Sequence, residues 1–243
     1  MSARITTATT LRVLQQIRHD PRTIALLLVV PSALLWLLHE LLGDTSFDRL
    51  GAPMLGMFPF ITIFLVTSIA MLRERTTGTL ERLMTMPLAK LDLLGGYGIA
   101  FALMAAVQAL VTSAVAFLAL GLDTAGAPAL IMALAVLNAV LGSSLGLLAS
   151  AFASTEFQAV QFMPAVVLPQ ILLCGLLVPR DQMADWLDAV ASVLPLTFAF
   201  DALDAVAVDG SGLSGVSDQI AVLAAMATVA IGLGALTLRR RTP

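Results

Sequence analysis

Few residues in this chain could carry covalent chemistry, and their spacing does not favour it. There is no G-x-x-x-x-G-K-[S/T] run, so the backbone cradle and lysine that grip nucleotide phosphates are missing. The two histidines, His19 and His39, lie on either side of the first long apolar run, and no H-E-x-x-H spacing occurs. Neither a metal centre nor a His-assisted nucleophile is therefore supported. Cys174 is the single cysteine, so no disulfide can form within the chain. Asp201 and Asp204 make a carboxylate pair, but in an aspartate-rich stretch it reads as solvation of a short helix rather than acid–base machinery. The apolar runs hold almost no ionisable group. Proton- and cation-coupled carriers place one near the bilayer centre, and charged-filter channels need a ring of them. No catalytic residue, metal ligand or bound cofactor is expected, and any energy for transport should come from outside the chain.

The most ordered polar stretch is Arg73-Glu74-Arg75-Thr76-Thr77-Gly78-Thr79-Leu80-Glu81-Arg82-Leu83-Met84-Thr85-Met86-Pro87-Leu88. Gly78 or Thr79 can open a short helix with Glu81 and Arg82 in its first turns. Leu80, Leu83 and Met84 then share a face, and Pro87 stops the helix. A short amphipathic helix between charges is a docking element for a soluble partner; an ordinary loop would need arginines but not this order of residues. Gly142, Gly146 and Ser150 set small side chains four apart, which is close helix packing of the GxxxG kind, read here as packing within one bundle. Asn138 is expected to bond a neighbouring helix. Phe58, Phe60, Phe64, Phe162 and Met163, with Phe157, are candidates to line a route for an apolar solute. Pro164 and Pro169 break a helix ladder and suggest a hinge.

The elements that must position these residues follow from composition. The chain has 243 residues, 59% hydrophobic and 12% charged, with a net charge of −3, and its mean hydropathy is +0.96. Soluble domains sit near 25% charged. The bilayer is the solvent that fits, and lipid allows only helices or closed barrels. We expect an all-α integral membrane fold forming a single domain over 1–243, with six spans near 23–42, 53–72, 93–120, 129–152, 159–178 and 216–238. The first is read as a retained span, since no cleavable leader is evident. Residues 1–22 are expected as an amphipathic interfacial helix with Leu11, Leu14 and Ile17 on its apolar side. Residues 43–52 are expected as a loop, and 179–215 as two short outer helices split by Pro195, with Trp186 and Phe198 or Phe200 facing down and Asp181, Asp185 and Asp188 facing out.

Charge segregation sets the orientation. Arg4, Arg12, Arg18 and Arg22 precede span one; Arg73, Arg75, Arg82 and Lys90 lie between spans two and three; Arg239, Arg240 and Arg241 follow span six. Six spans put all three groups on one side, the cytoplasm by the positive-inside rule, with both termini there and Asp44, Asp48, Asp123, Asp181, Asp185, Asp188, Asp201, Asp204, Asp209 and Asp218 outside.

The ordered run Arg73-Glu74-Arg75, Gly78-Thr79-Leu80-Glu81-Arg82-Leu83, then Pro87 and Asp92-Leu93-Leu94-Gly95, resembles the signature loop of ABC-2-type transporter permeases, nearest to the drug-exporter branch of daunorubicin-type resistance. Thr76-Thr77 departs from a more usual charged pair. The resemblance covers the whole chain: an N-terminal interfacial helix, six spans and a re-entrant outer pair between spans five and six. It implies that the segment from Thr77 to Met84 is a cytoplasmic coupling helix seated on a separate ATPase subunit, which binds the ATP and Mg. Arg73, Glu74, Arg75, Gly78, Thr79, Leu80, Glu81, Arg82 and Leu83 are its coupling residues, with Glu81 and Arg82 as the polar contacts. It further implies two permeases, identical or related, with two ATPases in a bacterial cell membrane, and no nucleic acid partner. The expected function is export of a hydrophobic or amphiphilic small molecule, an antibiotic or a lipid. The alternatives are export of a polysaccharide or lipid-linked glycan, which the 6% aromatic content disfavours, and a membrane sensor or scaffold that transports nothing.

Overall fold

A computed structural model describes residues 3–78 and 90–237, and every regular element among them is a helix. The order is α1 (Ala3–Arg18), α2 (Pro21–Leu42), α3 (Asp44–Thr76), α4 (Lys90–Ala114), α5 (Pro128–Ala149), α6 (Glu156–Leu173), α7 (Asp185–Ala191), α8 (Pro195–Ala207) and α9 (Ser217–Leu236). A π-helical turn, Val115–Ala119, closes α4. Six of these, α2, α3, α4 with its π turn, α5, α6 and α9, are long and apolar enough to cross a bilayer. The chain is a multi-pass membrane protein.

Burial divides the bundle into a centre and a rim. The apolar windows of α3 and α5 are each 61% buried, against 17% for α2 and α6. The rim helices turn Leu26, Val29, Leu37, Val160, Leu168 and Leu172 outward, which costs nothing when the surrounding medium is hydrocarbon.

What joins the centre is a parallel seam in fixed register. Asn138 lies opposite Gly56, Gly142 opposite Phe60 and Gly146 opposite Phe64. A Cβ on Gly142 would sit 2.7 Å from the Phe60 carbonyl oxygen, and one on Gly146 would collide with the Phe64 carbonyl. The glycines thus let two backbones touch where apolar side chains alone would gain little over lipid. Ser150, one step further along the same row, is buried and donates to Leu147 O at 2.6 Å. Within the seam, Asn138 Nδ2 donates to Gly56 O at 2.9 Å. This contact falls beside Pro59, whose missing N–H weakens the α3 ladder at that level. From the other side, Gln108 donates to Thr62 Oγ1, and Thr62 Oγ1 donates in turn to Phe58 O at 2.9 Å.

Several boundaries differ from the sequence reading. The expected loop at 43–52 is helical from Asp44, so α3 runs 33 residues. Its outer turns carry Asp44, Asp48 and Arg49, which lowered the local hydropathy, yet Phe47, Leu55 and the small residues Gly51 and Ala52 pack inward. Span five stops at Leu173 rather than 178, and Gly175 follows at φ 101. The last expected stretch, Arg239 to Arg241, lies outside the described residues.

The seam makes a paired expectation. Gly146→Ala should destabilise the protein by about 1–3 kcal/mol through overpacking. Gly232→Ala, whose Cβ would meet nothing within 4 Å, should be neutral or stabilising by up to ~1 kcal/mol from helix propensity. Thermal unfolding of both variants in detergent checks this; equal effects would show that the seam is not tight.

Candidate functional site

The charged ends of four helices meet on one side of the bundle. Alpha-1 lies across this end, and its small threonines set its distance from the rest. Thr10 Oγ1 is 3.1 Å from Gly96 O, and a Cβ on Gly96 would sit 2.9 Å from Thr6 O. The face that packs on the bundle is therefore Thr6, Thr9, Thr10, Val13 and Ile17. Leu11, expected on the apolar side, is 59% exposed and points away from the bundle. The apolar pattern alone does not show which face of α1 meets the bundle.

Arg12 and Gln16 of α1 reach Glu74 near the end of α3. Arg12 Nη2 stands 3.5 Å from Glu74 Oε2, and Gln16 Nε2 donates to Oε1 at 3.2 Å. Tyr97 of α4 completes the group: its hydroxyl donates to Glu74 Oε2 at 2.7 Å and accepts from Arg12. The Tyr97 ring is buried, stacks near Phe101 and carries the Arg12 guanidinium 5.5 Å above its centroid. One carboxylate thus ties three helices through hydrogen bonds, with 14% of its side chain exposed.

One residue earlier, Arg73 forms a bidentate pair with Glu156 at the start of α6. Arg73 Nε and Nη2 donate to the two carboxylate oxygens at 2.7 and 3.1 Å. Both side chains are more than half exposed. Glu156 sits in the first turn of α6, where a negative charge also complements the helix dipole. Alpha-3 then ends: Thr77 Oγ1 donates to Arg73 O at 2.8 Å, and Gly78 adopts φ 72, a left-handed conformation only glycine takes freely. The chain turns out of the helix at Gly78. Of the other expected coupling residues, Arg75 is half-buried at this end, whereas Thr79, Leu80, Glu81, Arg82 and Leu83 lie outside the described residues.

Asp20 caps α2 beside this group, accepting from Thr23 N at 3.2 Å and Thr23 Oγ1 at 2.7 Å. These hydrogen bonds, with a smaller attraction from Arg73, hold its carboxyl below the usual range.

The candidate solute-route residues divide. Phe60 and Phe64 are buried in the α3–α5 seam and face no open space. Phe58, Phe162 and Met163 are partly buried against the core. At the opposite end, α7 and α8 meet at 87°. Trp186, expected to face down, is 68% exposed, while Phe198 and Phe200 pack on the core. Asp188 does not point freely outward: Arg180 grips it at 2.7 Å and Asp201 at 3.4 Å. Arg49, Arg180, Phe200, Asp201 and Asp204 border an outer hollow of about 780 Å³. Gln170 ties α6 to this hairpin, accepting from Leu196 N at 3.3 Å and so satisfying an otherwise orphan amide at the α8 N-terminus.

The sequence reading missed Tyr97, Glu156, Gln108 and Gln170. A lone polar residue inside an apolar run was the available signal for three of them, since lipid gives such a group no partner.

Two expectations follow. Glu74→Ala should lower stability by about 1.5–3 kcal/mol, the scale of hydrogen bonds to a charged group. Arg73→Ala should cost within ~1 kcal/mol because its pair is exposed; unfolding midpoints that rank the other way would contradict this assignment. Asp20 stabilises the fold as its anion, because its folded pKa is depressed. That contribution is complete above the unfolded value near ~3.9 and is lost as pH falls through the lower folded value. The melting-temperature gap between wild type and Asp20→Ala should therefore be full at neutral pH and narrow as pH falls below the unfolded carboxylate value.

The sequence matches the family model described as "ABC-2 type transporter" over residues 5–207. It is 27% identical over 166 residues to the ABC transporter G family member 20 of Dictyostelium discoideum, a match covering 68% of this chain and 23% of that protein. It is 30% identical over 143 residues to the probable multidrug ABC transporter permease YbhR of Escherichia coli strain K12, covering 59% of this chain and 39% of that protein. Both alignments span less than half of the relative's length.

Proposed function

The chain belongs to the ABC-2 type transporter family, and from that premise we propose that it is the membrane permease subunit of an ATP-driven exporter. It moves a hydrophobic or amphiphilic small molecule, a drug or a lipid, out of the cytoplasm or the inner leaflet. ATP and Mg²⁺ are bound by a separate ATPase subunit, present in two copies, and a second permease completes the assembly. The arginine-rich end faces the cytoplasm, and both termini lie there.

The observation that carries this reading is the Glu74 group. The segment that would touch an ATPase leaves α3 directly after Arg73, Glu74 and Gly78. At that point α3 is bonded to α1 and α4 through Glu74 and to α6 through Arg73. A push on the segment therefore reaches four helices at once, as a stiff lever requires. The spans offer no charged relay of their own to drive transport. The description of YbhR as a multidrug permease supports a drug-like cargo. Glu81 and Arg82 are the proposed polar contacts with the ATPase, and Arg75, Thr79, Leu80 and Leu83 support them.

The test is co-purification with the candidate ATPase, together with its ATP hydrolysis. The double variant Glu81→Ala, Arg82→Ala should weaken the complex at least about tenfold, equivalent to ~1.4 kcal/mol. Arg49→Ala, at the opposite end, should leave it intact. Failure of any ATPase to co-purify, or wild-type affinity in the double variant, would overturn the assignment.

A further inference from the structure

A cleft of about 330 Å³ opens between α1, α2, α3 and α4 at the arginine-rich end. It touches the Glu74 group but extends away from it, toward the middle of the bundle. Its walls are graded along their length. The apolar part is formed by Leu65 and Ile69 of α3 and Phe101 of α4, with the outward-turned Leu26 of α2 at its open edge. The mouth is polar, formed by Gln16, Asp20, Thr23, Arg73 and Glu74. Such a gradient suits a molecule with an apolar body and a polar head. The volume lies at the low end of the ~300–1,000 Å³ common for small-ligand sites, so it has room for one chain rather than two.

The charges at the mouth choose the head. Glu74 is neutralised by Arg12, and the Nε and Nη2 of Arg73 are taken by Glu156. Among the described residues, two groups keep capacity. Asp20 is ionised and is hydrogen-bonded by Thr23 and by the Arg22 backbone, with no ion-pair partner among the described residues. The remaining Nη1 of Arg73 is not used by Glu156. An ionised carboxylate and an unused guanidinium N–H on the same mouth complement a head that carries both signs. A purely anionic head would meet Asp20, and a purely cationic head would leave the Arg73 Nη1 without an acceptor.

We propose that this cleft binds one single-chain amphiphile with a zwitterionic head, drawn from the cytoplasmic leaflet, with its head between Asp20 and Arg73 and its chain against Leu65, Ile69 and Phe101. The leaflet assignment rests on the orientation proposed above; the site itself does not. Occupancy would wedge α1 against α3 beside Glu74, so the amphiphile would sit where the lever is anchored.

The test uses the full chain in nanodiscs and lysophosphatidylcholine with a diazirine at its chain end. Irradiation and peptide mapping should place the label on α3 and α4 around Leu65, Ile69 and Phe101. Dodecylphosphocholine should suppress labelling at a concentration about fivefold or more below that needed for dodecyl phosphate or dodecylamine, a ~1 kcal/mol preference. Ala70 of α3 also lines the cleft, so Ala70→Trp, which fills it, should reduce labelling by a similar factor, and Leu148→Trp, on α5 away from the cleft, should not. Because Ala70→Trp can disturb packing, Asp20→Asn is the companion variant: Asn remains a good helix cap, so folding is kept while the mouth loses its anion and the zwitterion preference. Label mapped to other helices, unchanged labelling in both Ala70→Trp and Asp20→Asn, or equal competition by dodecyl phosphate would each overturn the proposal. The readout needs neither nucleotide nor ATPase, so its failure is separate from failure of the coupling assignment.

Discussion

Two backbones in contact hold this bundle together. In lipid, apolar side chains gain little by leaving one apolar medium for another, so association depends on close packing and on polar groups that find partners. Gly142 and Gly146 allow that approach against Phe60 and Phe64. Asn138 uses it to reach Gly56, at the level where Pro59 weakens the α3 ladder. Every rim helix leans on this centre. Alpha-4 is fixed to it by Gln108 and Thr62, and α6 by apolar packing along its length and the Arg73–Glu156 pair at one end.

A rigid centre with a lightly held rim suits a machine whose helices must move. Alpha-6 carries two prolines, exposes most of its surface, and is pinned at both ends by polar contacts, Glu156 to Arg73 and Gln170 to Leu196. Exposed ion pairs contribute little net energy and so can exchange at small cost. The Glu74 group differs, because its carboxylate is nearly enclosed and its three partners come from two other helices. Rigid and exchangeable contacts lie one residue apart on α3, where the segment proposed to meet an ATPase departs.

The opposite end follows another rule. Aspartates that look like simple solvation in the sequence are partly organised around Arg180, which holds Asp188 of α7 and Asp201 of α8 together across an 87° bend. An abrupt turn between short helices leaves amides and carbonyls without ladder partners, and side chains from other elements supply them.

The sequence by itself determined the membrane class, the six spans and the place of the charged loop, because these depend on quantities that add along the chain: apolar length, charge segregation and helix-breaking residues. It also marked Gly142, Gly146 and Asn138 as packing and bonding positions, since small or polar groups in an apolar run have few other uses. Tertiary structure alone decided which helix each would meet. The four-residue row on α5 could have faced a second copy of the chain as readily as α3. Phe60 and Phe64 read as candidates to line a route and are buried instead, because an aromatic ring carries no mark of which side of its helix is closed. Glu74 stood as one of nine candidate coupling residues, with no partner inside the bundle marked for it. Only the crossing of α1 and α4 over the end of α3 gave it three partners, and a contact between residues tens of positions apart is set by how helices cross, which local pattern does not encode.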